Sequence, residues 1–254
     1  LQGEQLVHAM MQDLLMMSVE DETGKIFRRY ILCSVRKSCY NGAKQNSREA
    51  PFMEKLDALV EKLKKYGYDV HTFENAQQAK SYLLETIPQT DTVGIGGSMT
   101  VQQMGLDQAL RARGQQVFWH WGVPAEEANE MRKKAATADT YLCSANALTM
   151  DGKIVNIDGF GNRLAATLHG TGKVYMIMGK NKLAENLDAA IARIKNVSCP
   201  ANAKRLGLKT PCAVLGHCTD CSSPQRMCRA TLIFDRKPNA HPIDILLVDE
   251  ELGF

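Results

Sequence analysis

Apolar residues in this chain follow two periods in turn. From Pro51 onward, Phe52, Leu56, Leu59, Val60 and Leu63 recur at helical spacing, and Gly67 follows as a C-cap. Tyr68 to Phe73 then alternates as a short strand does. A second helix is predicted from about Ala76 to Leu84, and the apolar run from Thr92 to Gly96 reads as a buried strand ending in glycines. Thr100 and Gln103 make a capping box, which opens a helix that runs to near Gly114. The strand Gln116–Trp119, a helix from about Ala125 to Ala138 and the strand Thr140–Ser144 continue the alternation.

The rhythm changes at Leu148 to Ile157, where Asp151-Gly152 between two apolar runs predicts a hairpin. A glycine loop from Gly159 to Arg163, a short helix, the strand Val174–Met178 and a long helix from Leu183 to Asn196 come next. Ile243 to Val248 is the last apolar strand. Strand–helix alternation with continuously apolar strands predicts an α/β fold, a mostly parallel sheet with helices on both faces and the hairpin as an excursion.

The first fifty residues read differently. Val7, Met10, Met11, Leu14 and Leu15 give a helix-like stripe, whereas Asp21 to Ala50 lacks a sustained period and carries linker signals at Asn41-Gly42 and Asn46-Ser47. With Leu1 rather than a methionine at its start, residues 1–50 read as an extension, trimmed or foreign, and 51–254 as the α/β domain.

Composition narrows the classes. An apolar fraction of 44% is that of an ordinary globular protein, and a net charge of +3 from 31 basic and 28 acidic residues makes no case for nucleic acid. The absence of a secretory signal or membrane-spanning run predicts a cytoplasmic, reducing setting without membrane insertion.

That setting bears on the cysteines. Cys212, Cys218, Cys221 and Cys228 fall in one short segment broken by Gly216 and Pro224, with Cys199 just upstream and Cys33, Cys39 and Cys143 scattered. Clustered thiols in a reducing compartment point to a metal centre, an iron–sulfur cluster or zinc. Inert thiols, or a dithiol switch at Cys218 and Cys221, are the alternatives. His217 could join the ligands, though local polarity explains it equally well.

Three loops carry candidate chemistry. Gly94, Gly96, Gly97, Ser98 and Thr100 join a buried strand to a capped helix, where exposed N–H groups favour an anion. A tight turn without ligand is the competing reading, since neither a Walker motif nor a full dinucleotide fingerprint is present. Asn156, Asp158, Gly159, Gly161, Asn162 and Arg163 form the second loop: Asn162 is a good N-cap, Arg163 offers a planar fork for a carboxylate or phosphate, and Asp158 can orient it or act as acid or base. A structural Asp158–Arg163 pair is the alternative. Gly179 to Lys182 ends a further strand, where open α/β sheets carry their sites, although its two lysines could simply be solvated. His120, between Trp119 and Trp121, reads as a packing residue.

Together these segments resemble the LUD-domain family, the lactate utilisation proteins of bacteria of the LutC and YkgG type. The resemblance runs from about Phe52 to Phe254. It rests on Gly94 to Thr100, Asn146 to Arg163, Gly179 to Lys182, Asn202 to Arg205, Lys209 to Cys212 and the Cys218 to Cys228 block. It implies a NagB/RpiA/CoA-transferase-like fold and a redox or accessory subunit in oxidation of L-lactate or a related 2-hydroxy acid, beside iron–sulfur partner subunits in an oligomer. By motif position Gly94, Gly96, Gly97, Ser98, Thr100, Asn146, Thr149, Asn156, Gly159, Gly161, Asn162, Lys180 and Asn181 become ligand-binding candidates, for a 2-hydroxy or 2-oxo acid or an anionic cofactor. Asp158 and Arg163 become catalytic candidates, and Cys212, Cys218, Cys221 and Cys228 metal ligands. Two other functions compete: a non-redox ligand-binding or CoA/acyl-handling domain with structural zinc, and a non-catalytic assembly subunit.

Overall fold

The computed structural model describes residues 15–20, 26–31 and 52–254 apart from 171 and 240, and the chain divides into two compact units, Leu1–Glu49 and Ala50–Phe254. In the first unit, β1 (Leu15–Glu20) pairs antiparallel with β2 (Ile26–Ile31), Leu15 opposite Ile31. This corrects the helical assignment of Leu15 and the reading of Asp21 to Ala50 as irregular throughout. Ile26, Phe27, Tyr30 and Ile31 concentrate β-branched and aromatic residues in too short a window for a helical period to register. Val7 to Leu14, Asn41-Gly42 and Asn46-Ser47 lie outside the described residues, as do Cys33 and Cys39.

The second unit runs in chain order through α1 (Phe52–Lys65), β3 (Asp69–Phe73), α2 (Ala76–Thr86), β4 (Val93–Ile95), α3 (Met99–Gln103), α4 (Leu106–Ala112) and β5 (Val117–Trp119). It continues with α5 (Ala128–Ala136), β6 (Thr140–Cys143), β7 (Ala147–Thr149), β8 (Ile154–Asp158), α6 (Asn162–Leu168) and β9 (Lys173–Gly179). After β10 (Leu183–Ala184) come α7 (Leu187–Arg193), a π-helical turn at Ile194–Ser198, α8 (Cys199–Arg205), α9 (Pro211–Leu215), β11 (Ala230–Phe234) and β12 (Ile243–Val248).

Six of these strands form one parallel sheet in the order β3-β12-β9-β6-β4-β5. Both faces are covered, so the strands are apolar in both alternating sets. Met176, Met178, Ile245 and Leu247 face Leu56, Leu59 and Leu63 of α1, together with Ala135 of α5. Tyr175, Ile177, Leu246 and Val248 face Leu83 of α2, Val101 of α3 and Leu106 and Leu110 of α4. The predicted α/β class with helices on both faces is the observed one.

Three details depart from expectation. The helix cap is Ser98, whose Oγ accepts from Val101 N at 3.3 Å, and not Thr100. The predicted single helix to Gly114 is two, because Gly105 adopts a left-handed φ of 59° between α3 and α4. The expected helix from Leu183 starts only at Leu187, where Asn186 caps it, and the helical path then runs through the π turn to Arg205.

The Asp151-Gly152 hairpin is more than an excursion. β7 and β8 pair antiparallel, β10 adds parallel to β7, and β11 adds antiparallel to β8, making a four-stranded sheet in the order β10-β7-β8-β11. β11 has only its last residue buried, and its apolar run, Leu232-Ile233-Phe234, is too short to mark a strand by itself in the sequence. This smaller sheet carries Asn156 to Asp158 towards the carboxyl edge of the larger one.

Candidate functional site

At that carboxyl edge lies a cavity of about 370 Å³, lined by the segments after β4, β5 and β6, the end of β8, the start of α6, Lys182, α8 and the residues after β12. Strand ends are where an open α/β sheet leaves its backbone groups free for ligands. Its floor is a polar lattice. Asn146 N donates to Asn156 Oδ1 at 2.9 Å, while Asn146 Oδ1 accepts from Ile157 N at 2.9 Å. These two asparagines lock the β6–β7 link to β8.

Arg163, only 8% exposed, is held by the same lattice. It donates from Nη1 to the Ser144 carbonyl at 3.2 Å and from Nη2 to Asn146 Oδ1 at 2.9 Å and the Ile157 carbonyl at 3.0 Å. Asp158 Oδ2 is 3.7 Å from its Nε, and Asp158 Oδ1 accepts from Gly159 N. The fork is therefore turned to protein acceptors. Arg163 braces the cavity wall while presenting one edge to it.

Cations without a carboxylate partner come from elsewhere, although Arg205 donates from Nε and Nη2 to Asn202 Oδ1. Arg132 lies 4.0 Å from the Phe160 ring and Arg205 lies 4.4 Å from the Trp121 ring, both by cation–π contact. Neither forms a salt bridge among the described residues. Burial lowers the pKa of both, yet neither guanidinium loses its charge near neutrality. Basic side chains lining the cavity outnumber acidic ones, with Asp158 the sole acid against Arg132, Arg163, Lys182 and Arg205. That imbalance favours an anion.

His120 also lines the cavity, rather than only packing. Burial, aided by Arg132 and Arg205, pushes its pKa down to about 4, with Asp158 opposing. It is a neutral imidazole near pH 7, able to accept or donate one hydrogen bond. Lys182 is 3% exposed, and its Nζ donates to the main-chain oxygen of Phe254. Burial first, then Arg193 and Arg163, lowers its pKa to about 7.

The sequence-predicted residues divide cleanly. Gly97, Ser98, Thr100, Asn146, Asp158, Gly159, Asn162 and Arg163 line the one cavity. Gly94 and Gly96 do not. A Cβ on Gly94 would sit 2.0 Å from the Ala135 carbonyl, and one on Gly96 would sit 2.8 Å from Tyr141 Oη, so both serve close packing. Thr149 caps the hairpin by accepting from Lys153 N, and Gly161 supplies a φ of 76° at the start of α6. Asn156 acts from beneath. Lys180 pairs with Asp249 at the surface, and Asn181 clamps the chain after β12 through Gly253 O and Leu252 N. Sequence reasoning left Arg132, Ser144 and Ser198 out of the site, and it named Lys182 and Arg205 only as members of the Gly179–Lys182 and Asn202–Arg205 motifs, without a site role.

Of the cysteines, Cys199 and Cys228 line the cavity. Burial, then the proximity of Cys228, Cys212 and Cys218, pushes the Cys199 thiol up to about 12. No group of three or more His, Cys, Asp or Glu side chains stands in metal-holding positions among the described residues. As arranged, the thiols do not fit a preformed centre, and a metal would have to draw them together.

Comparison with known proteins agrees with the motif reading. No curated protein matches the chain. A solved structure of a DUF162 family protein from Deinococcus radiodurans is similar at 12% identity and a TM-score of 0.47, covering 77% of this chain and 97% of that one. No helix among the described residues is long and apolar enough to cross a membrane. The LUD domain profile matches residues 56–248, most of the chain, and includes the glycine loop, the small sheet and the cysteine segment; the protein belongs to the LUD domain family, which is associated with lactate utilisation.

Proposed function

We propose that the cavity binds a small carboxylate, a 2-hydroxy or 2-oxo acid, and that the protein serves as a redox or accessory subunit in oxidation of L-lactate or a related acid. The observation that carries the proposal is the excess of cations there, with Arg132 and Arg205 free of carboxylate partners. In this reading their guanidiniums take the carboxylate, while hydroxyls of Ser98, Thr100 and Ser144 and the neutral His120 address the hydroxyl or carbonyl. Arg163 positions Asn146 and Ile157 rather than gripping the ligand. A volume near 370 Å³ is at the lower end of small-molecule sites and exceeds what a three-carbon acid fills. It leaves room for an anionic cofactor beside it.

A cysteine-bound iron–sulfur or zinc centre is a separable part of the proposal. Its ligands would come from Cys212, Cys218, Cys221 and Cys228, with Cys199 in reserve. Nothing in the binding of the acid is routed through that centre.

Calorimetric titration with L-lactate and pyruvate tests the reading. Binding should occur and weaken at least tenfold, about 1.4 kcal/mol, in Arg132→Ala and Arg205→Ala. Absence of binding by both acids would sink it. Anaerobic purification with metal analysis and a visible spectrum decides the centre: iron with sulfide absorption supports electron transfer, stoichiometric zinc without iron favours a structural site, and no metal removes both.

A further inference from the structure

Apolar side chains that the fold leaves uncovered are concentrated in one place. Of the six large apolar residues exposed among the described residues, four, Val197, Leu206, Val214 and Leu215, lie between residues 195 and 229. α9, which carries Val214 and Leu215, buries none of its residues. The whole segment is nonetheless tied together. α9 packs on α8. Asn196 Oδ1 accepts from Cys218 N at 3.3 Å, Asn202 Nδ2 donates to Met227 Sδ at 3.4 Å, and Lys209 N donates to Gln225 Oε1 at 2.6 Å. These bonds join the π turn, α8, α9 and the residues up to Arg229 into one surface.

That surface is also strongly basic. Lys195, Lys204, Arg205, Lys209, Arg226 and Arg229 stand against a single acid, Asp220, which Arg226 meets at 2.9 Å. The chain as a whole has 31 basic and 28 acidic residues, so what lies outside this segment is slightly acidic. Arg205 turns to the cavity over Trp121. Lys195, Lys204, Lys209 and Arg229 are left without a carboxylate partner among the described residues. Uncovered aliphatic side chains among unpaired cations match an interface with an apolar centre and a polar rim, where rim charge selects and steers a partner of opposite sign.

We propose that residues 195–229 are a docking surface for an acidic protein, whose Asp and Glu side chains face Lys195, Lys204, Lys209 and Arg229 while an aliphatic patch covers Val214 and Leu215. Charge and composition decide among the occupants. Two copies of this chain meeting through this face would set like charges against each other. A nucleic acid would leave Val214 and Leu215 against phosphates, and the segment has no Phe, Tyr or Trp on which bases could stack. A bilayer surface takes an amphipathic helix of several turns with aromatic anchors, whereas α9 has five residues. The proposal does not depend on which acid the cavity binds.

The test follows the full chain by fluorescence polarisation with two probes, a labelled helical peptide of Glu and Leu and an all-Glu peptide of equal charge. The Glu/Leu peptide should bind the tighter, and its affinity should fall about tenfold when salt is raised from roughly 0.05 M to roughly 0.5 M. Lys204→Glu combined with Lys209→Glu should weaken it by about tenfold or more, and Val214→Ser combined with Leu215→Ser should do so with no change of charge. Circular dichroism checks that both variants fold, and amide exchange should slow over residues 206–215 when the peptide binds. Absence of binding, equal binding by the variants, or an all-Glu peptide that binds as well as the other would overturn the surface. Heparin or phosphatidylserine vesicles bound more tightly than the peptide, and released by the same substitutions, would overturn the acidic protein as occupant. So would a dimer in light scattering that Val214→Ser with Leu215→Ser dissociates.

Discussion

The large sheet and the segment from Gly207 to Arg229 face the same cavity but are held by opposite means. In the sheet, every residue of β12 and all but the first of β9 are buried. In the segment, α9 has no buried residue, and Val214 is 88% exposed. Arg226 does there what leucines do in the core. It donates to the Cys228 carbonyl at 3.0 Å, to the Cys221 carbonyl at 2.7 Å and to Asp220 Oδ1 at 2.9 Å. Gln225 and Ser223 add bonds to the backbone of Lys209. Apolar burial makes the sheet cooperative; the segment is a set of polar ties, each individually small in water. The difference implies that the cavity has one rigid wall and one that can be rearranged by what it binds.

The comparison breaks most severely if the core is touched. Leu142→Ala should cost about 2–5 kcal/mol in denaturant unfolding, since Leu142 is fully buried against the α2–α4 side. A loss below about 1 kcal/mol would mean the sheet is not the cooperative unit. Acid should act next, through His120. Its folded pKa lies below its unfolded one, so the unfolded state binds the proton first. The stability this neutral imidazole confers is complete above about 6.5 and is lost as pH falls towards about 4. His120→Gln should flatten that part of a stability–pH curve, and an unchanged slope would remove His120 from the account.

Smaller effects belong to the segment. Arg226→Ala should lower global stability by about 1 kcal/mol or less, because the guanidinium is partly exposed. Amide exchange over residues 218–229 should nonetheless rise markedly. Exchange rising equally in β9 would show that segment and sheet unfold as one. Val214→Ser should change unfolding free energy by no more than about 0.5 kcal/mol; a larger loss would reveal that the residue is covered in solution.

Much of the fold was legible because the parallel strands are buried on both sides and therefore read as unbroken apolar runs between amphipathic helices. β11 was not, since its apolar run, Leu232 to Phe234, is short and follows two exposed residues. The break at Gly105 escaped for a related reason: Leu106 and Leu110 keep helical spacing whether or not the axis bends. Motif residues such as Ser98, Asn146 and Asn162, which line the cavity, were singled out because loops rich in Gly and Asn announce backbone that is free to bind. Arg132 and Arg205 sit on helices whose charged residues look solvated, and only packing turns those two inward. Arg163 teaches the converse. It was read as a planar fork for a carboxylate or phosphate, but one sequence does not reveal that carbonyls of Ser144 and Ile157 would occupy it.

The place of β12 has a consequence for how the protein is made. This strand lies between β3 and β9, pairing Asp244 with Asp69 on one side and with Tyr175 on the other. Among the described residues β3 has β12 as its only partner in the larger sheet, so it remains an unpaired edge until a ribosome has passed residue 248. The sheet therefore cannot close by growing outward during synthesis, and its decisive pairing is among the most distant in the chain. Such long-range closure is slow, and it leaves the apolar residues of β3 and α1 exposed in the interval. A nascent chain of this design depends on those surfaces being shielded until its last strand arrives.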